Sequence, residues 1–247
     1  MRATIVLTGA VVLMASSLQA TTVLVNDSFS YANQAAFEAV WAPIGSEGSG
    51  TLTTEQAASP TQSVKFGTAA GYRNRLTFAE TQATEDEPIV FSFKFYDVAP
   101  TANPHRNYIN IQDTTAPTGS GQLIAMGLNN NLLNSAGPGP RYMARVLGYE
   151  GGAFFKLDGP GVPARSLGWH ELKVVITPTQ FQFYVDGVAA QAIPNTNNRS
   201  FDNLALGSGL SSTQVAYFDD VYLAKLPEPA TLLLLVVAAP FLRRRRA

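Results

Sequence analysis

Chemistry has few footholds in this chain. Its acidic residues cluster once, as Glu85, Asp86 and Glu87. Cleavage of a glycosidic bond uses two carboxylates that flank it, and on a strand these would stand at alternate positions so as to share a face. The three are contiguous and precede Pro88 in a polar stretch, which reads as a solvated loop. There are two histidines, His105 in TANPHRNY and His170 in GWHELK. Neither stands at metal-ligand spacing from a second ligand or beside a serine elbow, and GSGLSS at Gly207 lacks the strand-turn-helix setting that exposes a nucleophilic serine. The chain has no cysteine, which excludes disulfides, thiol nucleophiles and thiolate metal sites together. With no recognisable catalytic carboxylate pair, triad or metal motif, the expectation is a protein that is not an enzyme.

Binding suits the remaining residues better. Tyr96, Tyr108, Asn110, Gln112, Tyr142 and Arg145 alternate with apolar residues in neighbouring candidate strands, and flat rings beside amide and guanidinium donors suit sugar rings. They form the expected ligand face. Asp219 and Asp220 pose a separate problem, because both stand in the apolar run QVAYFDDVYLA. Under strict alternation one of them points inward or lies at a bulge, and a buried carboxylate needs a partner. Hydrogen bonds from nearby turns would provide one.

The elements that must position these residues read as strands. IVFSFKFYDV places Phe91, Phe93 and Phe95 on one face and Ser92, Lys94 and Tyr96 on the other, the period of a half-buried strand. The same alternation runs through HELKVVIT and QFQFYVDG, and the Asp186-Gly187 pair supplies the positive φ angles of a tight hairpin into VAAQAI. Further strands are expected at TVLVND, QSVKFG, RNRLTF, NYINIQ, QLIAMGL, RYMARVLGY, AFFKL, NLALGS and QVAYFDDVYLA. One stretch looks helical, NQAAFEAVW, with Asn33 as its cap. A dozen short strands, each with one apolar face and Gly-rich turns, predict two packed antiparallel sheets.

GWHELKVVITPTQFQFYVDG, followed about thirty residues later by AYFDDVYLA, resembles the concanavalin A-like or laminin G-like jelly-roll superfamily, and VNDSFSYANQAAFEAVW looks like its first strand and helical turn. The resemblance implies an all-β jelly-roll sandwich over residues 21–226. It leaves activity open, since this fold hosts lectins, adhesion modules, hydrolases and lyases. It also implies a possible structural Ca²⁺ between Asp27 and Asp219, through the oxygen ligands that ion takes. Trp169 reads as a packing residue and Asp186 as a turn residue.

Both ends of the chain lie outside that domain. Arg2, the apolar run Thr4 to Ala15 and small residues ending in LQA read as a secretory signal peptide over residues 1–20. At the other end, Ala230 to Leu242 form thirteen largely apolar residues. That is about 20 Å of helix, short of a ~30 Å hydrocarbon core. Pro227, Glu228, Pro229, this short membrane segment and the cluster Arg243, Arg244, Arg245 and Arg246 resemble the PEP-CTERM sorting tail of Gram-negative bacteria over residues 227–247. In that family the triplet is the recognition motif, the arginines stop transfer, and an exosortase cuts near the motif. The resemblance implies export through the inner membrane, transient anchoring there, and release to the cell envelope, cell surface or extracellular matrix. Between the two ends, twelve Lys or Arg face seventeen Asp or Glu, a formal net of −5. Such a body does not suit nucleic acid. The expected function is therefore an exported, exosortase-processed protein whose sandwich binds glycan or extracellular polysaccharide. The alternatives are a polysaccharide-acting glycoside hydrolase or lyase, or a purely structural coat protein.

Overall fold

A computed structural model describes residues 20–44, 48–100, 106–113, 123–129, 140–147, 154–207, 212 and 214–227. The elements in chain order are β1 (Thr22–Asp27), α1 (Gln34–Val40), β2 (Ala42–Pro43), β3 (Thr51–Thr53), β4 (Ser63–Phe66), β5 (Asn74–Gln82), β6 (Ile89–Asp97), β7 (Asn107–Gln112) and β8 (Leu123–Leu128). They continue with β9 (Met143–Leu147), β10 (Phe154–Lys156), β11 (Gly168–Ile176), β12 (Gln180–Val185), β13 (Val188–Pro194), β14 (Ser200–Leu206) and β15 (Ala216–Lys225). Two antiparallel sheets result. Sheet A runs β13-β12-β11-β6-β15-β4-β3, with β1 also paired to β15, and sheet B runs β10-β9-β8-β7-β14-β5-β2. The short β2 and β3 had no signal in the sequence.

Alternation decides which face each strand buries. Phe91, Phe93 and Phe95 of β6 point into the core with Leu172, Val174 and Ile176 of β11, Phe181 and Phe183 of β12, and Phe218 of β15. From sheet B, Ile109 and Ile111, Ile124 and Met126, Ala144 and Val146, and Leu204 and Leu206 meet them. Each fully buried side chain of this size contributes roughly 1.5–3 kcal/mol, so the phenylalanine rows of sheet A are the main support of the sandwich. The hairpin between β12 and β13 turns at Asp186 and Gly187, with φ of 49° and 77°. This is the tight turn that the Asp-Gly pair predicts.

The opening motif is organised by one carboxylate. Asp27 accepts from Phe29 N at 2.7 Å, from Trp41 Nε1 at 2.7 Å and from the Tyr31 hydroxyl. Those bonds fold the chain after β1 back onto α1, whose Asn33 cap accepts from Ala36 N at 2.9 Å, and bury Phe29, Phe37 and Trp41. Burial, followed by the bond to Asp27, raises the Tyr31 hydroxyl well above the usual phenol range.

The last residue of β6 holds the segment that leads into β11. Asp97 receives Arg165 Nε at 2.8 Å on one oxygen and an Arg165 terminal nitrogen at 2.9 Å on the other, and both side chains are fully buried. Arg165 also donates to Ala99 O at 3.0 Å, and Tyr142 donates to Asp97 at 3.3 Å. Since Tyr142 immediately precedes β9, this clasp fixes where β9 enters sheet B.

Candidate functional site

The six residues of the expected ligand face do not share a face. Tyr96 lies on the outer face of sheet A, beside Trp169 at a ring separation of 5.3 Å and Tyr217 at 5.9 Å. Trp169, Tyr96 and Tyr217 stand opposite one another on β11, β6 and β15. Tyr142 is wholly buried, its ring packed on Phe95 and His170 and its hydroxyl on Asp97. Burial and the nearby Asp97 charge raise that hydroxyl beyond the normal phenol range. The remaining four, Tyr108, Asn110, Gln112 and Arg145, do come together on the outer face of sheet B.

Strand register places them in rows. One row runs Phe154, Arg145, Ala125, Asn110, Ala205, Arg75 and Ala42, from β10 to β2. Its neighbours are Leu147, Leu123, Gln112, Asn203 and Thr77 on one side, and Lys156, Met143, Gly127 and Tyr108 on the other. Arg75 and Asn203 were not singled out from the sequence. RNRLTF nevertheless carries the signal, because alternation about the inward Leu76 turns Arg75 outward.

The centre of the face is polar yet buried, while Arg75, Gln112 and Arg145 remain partly exposed. Tyr108 is 5% exposed, Asn110 4% and Asn203 0%. Asn110 Oδ1, Asn203 Oδ1, Arg145 Nε and Arg75 Nε are buried without a hydrogen-bond partner. Arg145 is held from two sides, with its guanidinium carbon 4.9 Å from the centre of the Phe154 ring and a terminal nitrogen 3.5 Å from the Tyr108 hydroxyl. A hollow lined by Tyr108, Ala125, Gly127, Met143 and Arg145 has room for about one water molecule. Gly127 is required there, since with φ at 147° a Cβ would lie 2.2 Å from Asn107 O. Among the described residues of the three rows there is no Asp or Glu, so they carry no carboxylate pair of the glycosidase kind.

The aspartates considered for Ca²⁺ serve separate hydrogen-bond sets. Asp219 is fully buried at a bulge in β15 and accepts from Ala58 N at 2.8 Å, Ser59 N at 2.9 Å and Asp220 N at 2.8 Å. The bulge turns Asp220 away at φ 48°, where it accepts from the Ser59 hydroxyl. Burial raises the Asp219 carboxyl above its ordinary value, and the three N–H donors oppose that shift. With Asp27 committed to Phe29, Tyr31 and Trp41, amide, indole and hydroxyl protons already engage both carboxylates. Among the described residues no group of three or more Asp, Glu, His or Cys is placed to hold a metal ion.

An arrangement the sequence did not reveal surrounds His170. Its Nδ1 lies 2.7 Å from Asp186 Oδ2, and its Nε2 lies 3.1 Å from Ser166 Oγ. These are two of the relationships of a Ser-His-Asp triad. The ring is nevertheless bound as a clasp. Nε2 also lies 2.9 Å from the Ser166 carbonyl oxygen, where an N–H is satisfied and the lone pair of a general base is not. Asp186 further accepts from Glu171 N at 2.8 Å, which ties the β12–β13 turn to β11. Glu85 and Asp86 are exposed in the bend before β6, and Glu87 pairs with Lys225 at 2.7 Å, as a solvated loop would have it.

His105, the signal peptide apart from Ala20, and the tail beyond Pro227 lie outside the described residues. These include Glu228, Pro229, the segment Ala230 to Leu242 and Arg243 to Arg246. Among the described residues no helix is long and apolar enough to cross a membrane.

The molecule is thus an all-β sandwich of two antiparallel sheets. Among solved structures, the globular domain of T. cruzi calreticulin is similar over 87% of this chain and 92% of its own, with a TM-score of 0.54 and 14% identity. The cellulose-induced protein Cip1 is similar over 81% of this chain and 96% of its own, with a TM-score of 0.52 and 12% identity. At such identities the likeness is one of fold. No family model and no curated protein matches the sequence.

Proposed function

We propose that this chain is an exported, exosortase-processed protein of the bacterial envelope or extracellular matrix, and that its sandwich binds glycan through the outer face of sheet B. The observation that carries the binding reading is the set Tyr108, Asn110, Asn203, Arg145 and Arg75, ring, amide and guanidinium groups in adjacent rows, of which Arg145 and Arg75 are partly exposed. The guanidinium presents several N–H donors in a fixed fork, which suits the oxygens of a polyhydroxylated ligand. The lectin-like fold is consistent with such a role and does not specify it. Addressing is a separate claim. It rests on the signal peptide and the PEP-CTERM-like tail, whose short apolar segment suits transient anchoring by the inner membrane.

A glycan-array screen of the full-length protein tests the binding reading, with Asn110→Ala and Tyr108→Phe as variants and with EDTA to report any structural Ca²⁺. Binding weakened about tenfold by Asn110→Ala is the expected result. Absence of binding to every glycan overturns it and leaves a structural coat protein. For the tail, mass spectrometry of the C-terminus from cells with and without the exosortase should show truncation near Pro227 in the former alone.

A further inference from the structure

One seam between the two sheets is open. Among the described residues β1 pairs only with β15, and β5 has a second partner only at Asn74 and Arg75, where β2 meets it. A cleft of about 430 Å³ lies there, lined by β1, by Leu76 of β5, by the loop that follows β1 and by Val40, the last residue of α1. Ligand pockets range over roughly 300–1,000 Å³. Leu24 and Leu76 are half-buried and packed on the core, and Val40 is 45% exposed, so the cleft has an apolar side. Its polar side is open to solvent as well, with Asn26 and Ser30 exposed and Ser28 half-buried.

A strained turn builds that polar side. Phe29 sits at φ 53°, a backbone region that a bulky side chain seldom adopts, and its ring is wholly buried against Phe37 and Trp41. Asp27 holds the turn through its bonds from Phe29 N, the Tyr31 hydroxyl and Trp41 Nε1. Alternate residues of an extended strand stand roughly 6.6 Å apart, whereas here the hydroxyls of Ser28 and Ser30 converge to 3.4 Å. Each of them can donate and accept. No Lys or Arg lines the cleft, and both oxygens of its one carboxylate, Asp27, are already engaged. An anionic ligand would therefore meet no counter-charge. A hydrocarbon chain would cover the two hydroxyls and the Asn26 amide without replacing the hydrogen bonds they make to water, which is costly. A neutral sugar offers both surfaces, a C–H ring face for the apolar side and vicinal hydroxyls for the serine pair. We propose that the cleft is a carbohydrate site for one neutral hexose unit, with the ring face on Leu24, Leu76 and Val40 and the hydroxyls on Asn26, Ser28 and Ser30. This site is separate from the outer face of sheet B, because Leu76 turns inward where its neighbour Arg75 turns to that face.

Methyl-resolved NMR of the full-length protein, labelled at Leu, Val, Ala and Met, tests it. The probes are the methyl glycosides of glucose, galactose, mannose and N-acetylglucosamine, compared with glucuronate and octanoate. Saturable shifts at Leu24, Val40 and Leu76 with at least one neutral glycoside, and binding at least tenfold weaker for glucuronate and octanoate, are the expected result. The double variant Ser28→Ala/Ser30→Ala should weaken the glycoside about tenfold, and Val40→Trp, which fills the cleft from an exposed position, should abolish its binding. The probe comparisons use the unaltered protein and do not depend on how well the variants fold. Absence of shifts at the three residues with all four glycosides overturns the cleft site, and shifts at Ala125 or Met143 in the same titrations would leave the sheet B reading standing. Glucuronate or octanoate binding as tightly as the glycosides overturns the neutral-sugar assignment. No methyl shift anywhere, combined with a blank glycan array, overturns both sites.

Discussion

Replacing Arg165 with methionine should be among the most damaging single changes outside the phenylalanine rows. The substitution keeps most of the stem's volume and removes the guanidinium. Asp97 would lose two charge-assisted bonds at 2.8 and 2.9 Å and keep Tyr142 at 3.3 Å and Ala99 N at 3.2 Å, both long, in a site where its side chain has no solvent exposure. An uncompensated buried carboxylate of this kind costs about 3–5 kcal/mol. For a domain of this size that is a fall in Tm of about 6–20 °C. The double variant Asp97→Leu/Arg165→Met removes both charges, and replacing a buried pair by apolar groups is often neutral or stabilising. Most of the loss should therefore be recovered. Urea denaturation followed by tryptophan fluorescence measures all three proteins. The reasoning is refuted if Arg165→Met costs less than about 1 kcal/mol, or if the double variant is no more stable than the single. Because the clasp fixes the entry to β9, a destabilised Arg165→Met should also bind ligand more weakly through displacement of Arg145.

Three further outcomes follow from the same geometry. Gly127→Ala forces a Cβ to within 2.2 Å of Asn107 O and should cost about 1–3 kcal/mol or more in denaturant titration, with sheet B perturbed at Tyr108. The raised Asp219 carboxyl holds its proton more tightly in the folded chain than in the unfolded one, so its contribution is fully present below the ordinary aspartate range and is lost as pH rises through the folded value. The stability of the native protein relative to Asp219→Asn should accordingly grow as pH falls through the carboxylate range, and a gap that shrinks instead would contradict this. A fluorophosphonate probe should leave Ser166 unlabelled, and His170→Ala should loosen the β12–β13 hairpin, read as faster amide exchange at Glu171 and Asp186.

The strands were legible because period-two patterning records burial directly. Phe91, Phe93 and Phe95 could face only one way, and the Asp-Gly turn and Asn33 cap carry their own local chemistry. The ambiguity at Asp219 and Asp220 was also legible, and a bulge resolves it. Partnership between distant strands was not. Tyr96 and Tyr108 are twelve residues apart, yet they lie on the outer faces of different sheets, because β6 belongs to one sheet and β7 to the other. Alternation records the parity of a residue and says nothing about the sheet to which its strand belongs. Tyr142 and Arg145 are three apart and have opposite parity. Once Ala144 and Val146 point inward Tyr142 must as well, so alternation applied strictly would have removed it from the ligand face. Asp97 and Arg165 pair across 68 positions with no local sign of it.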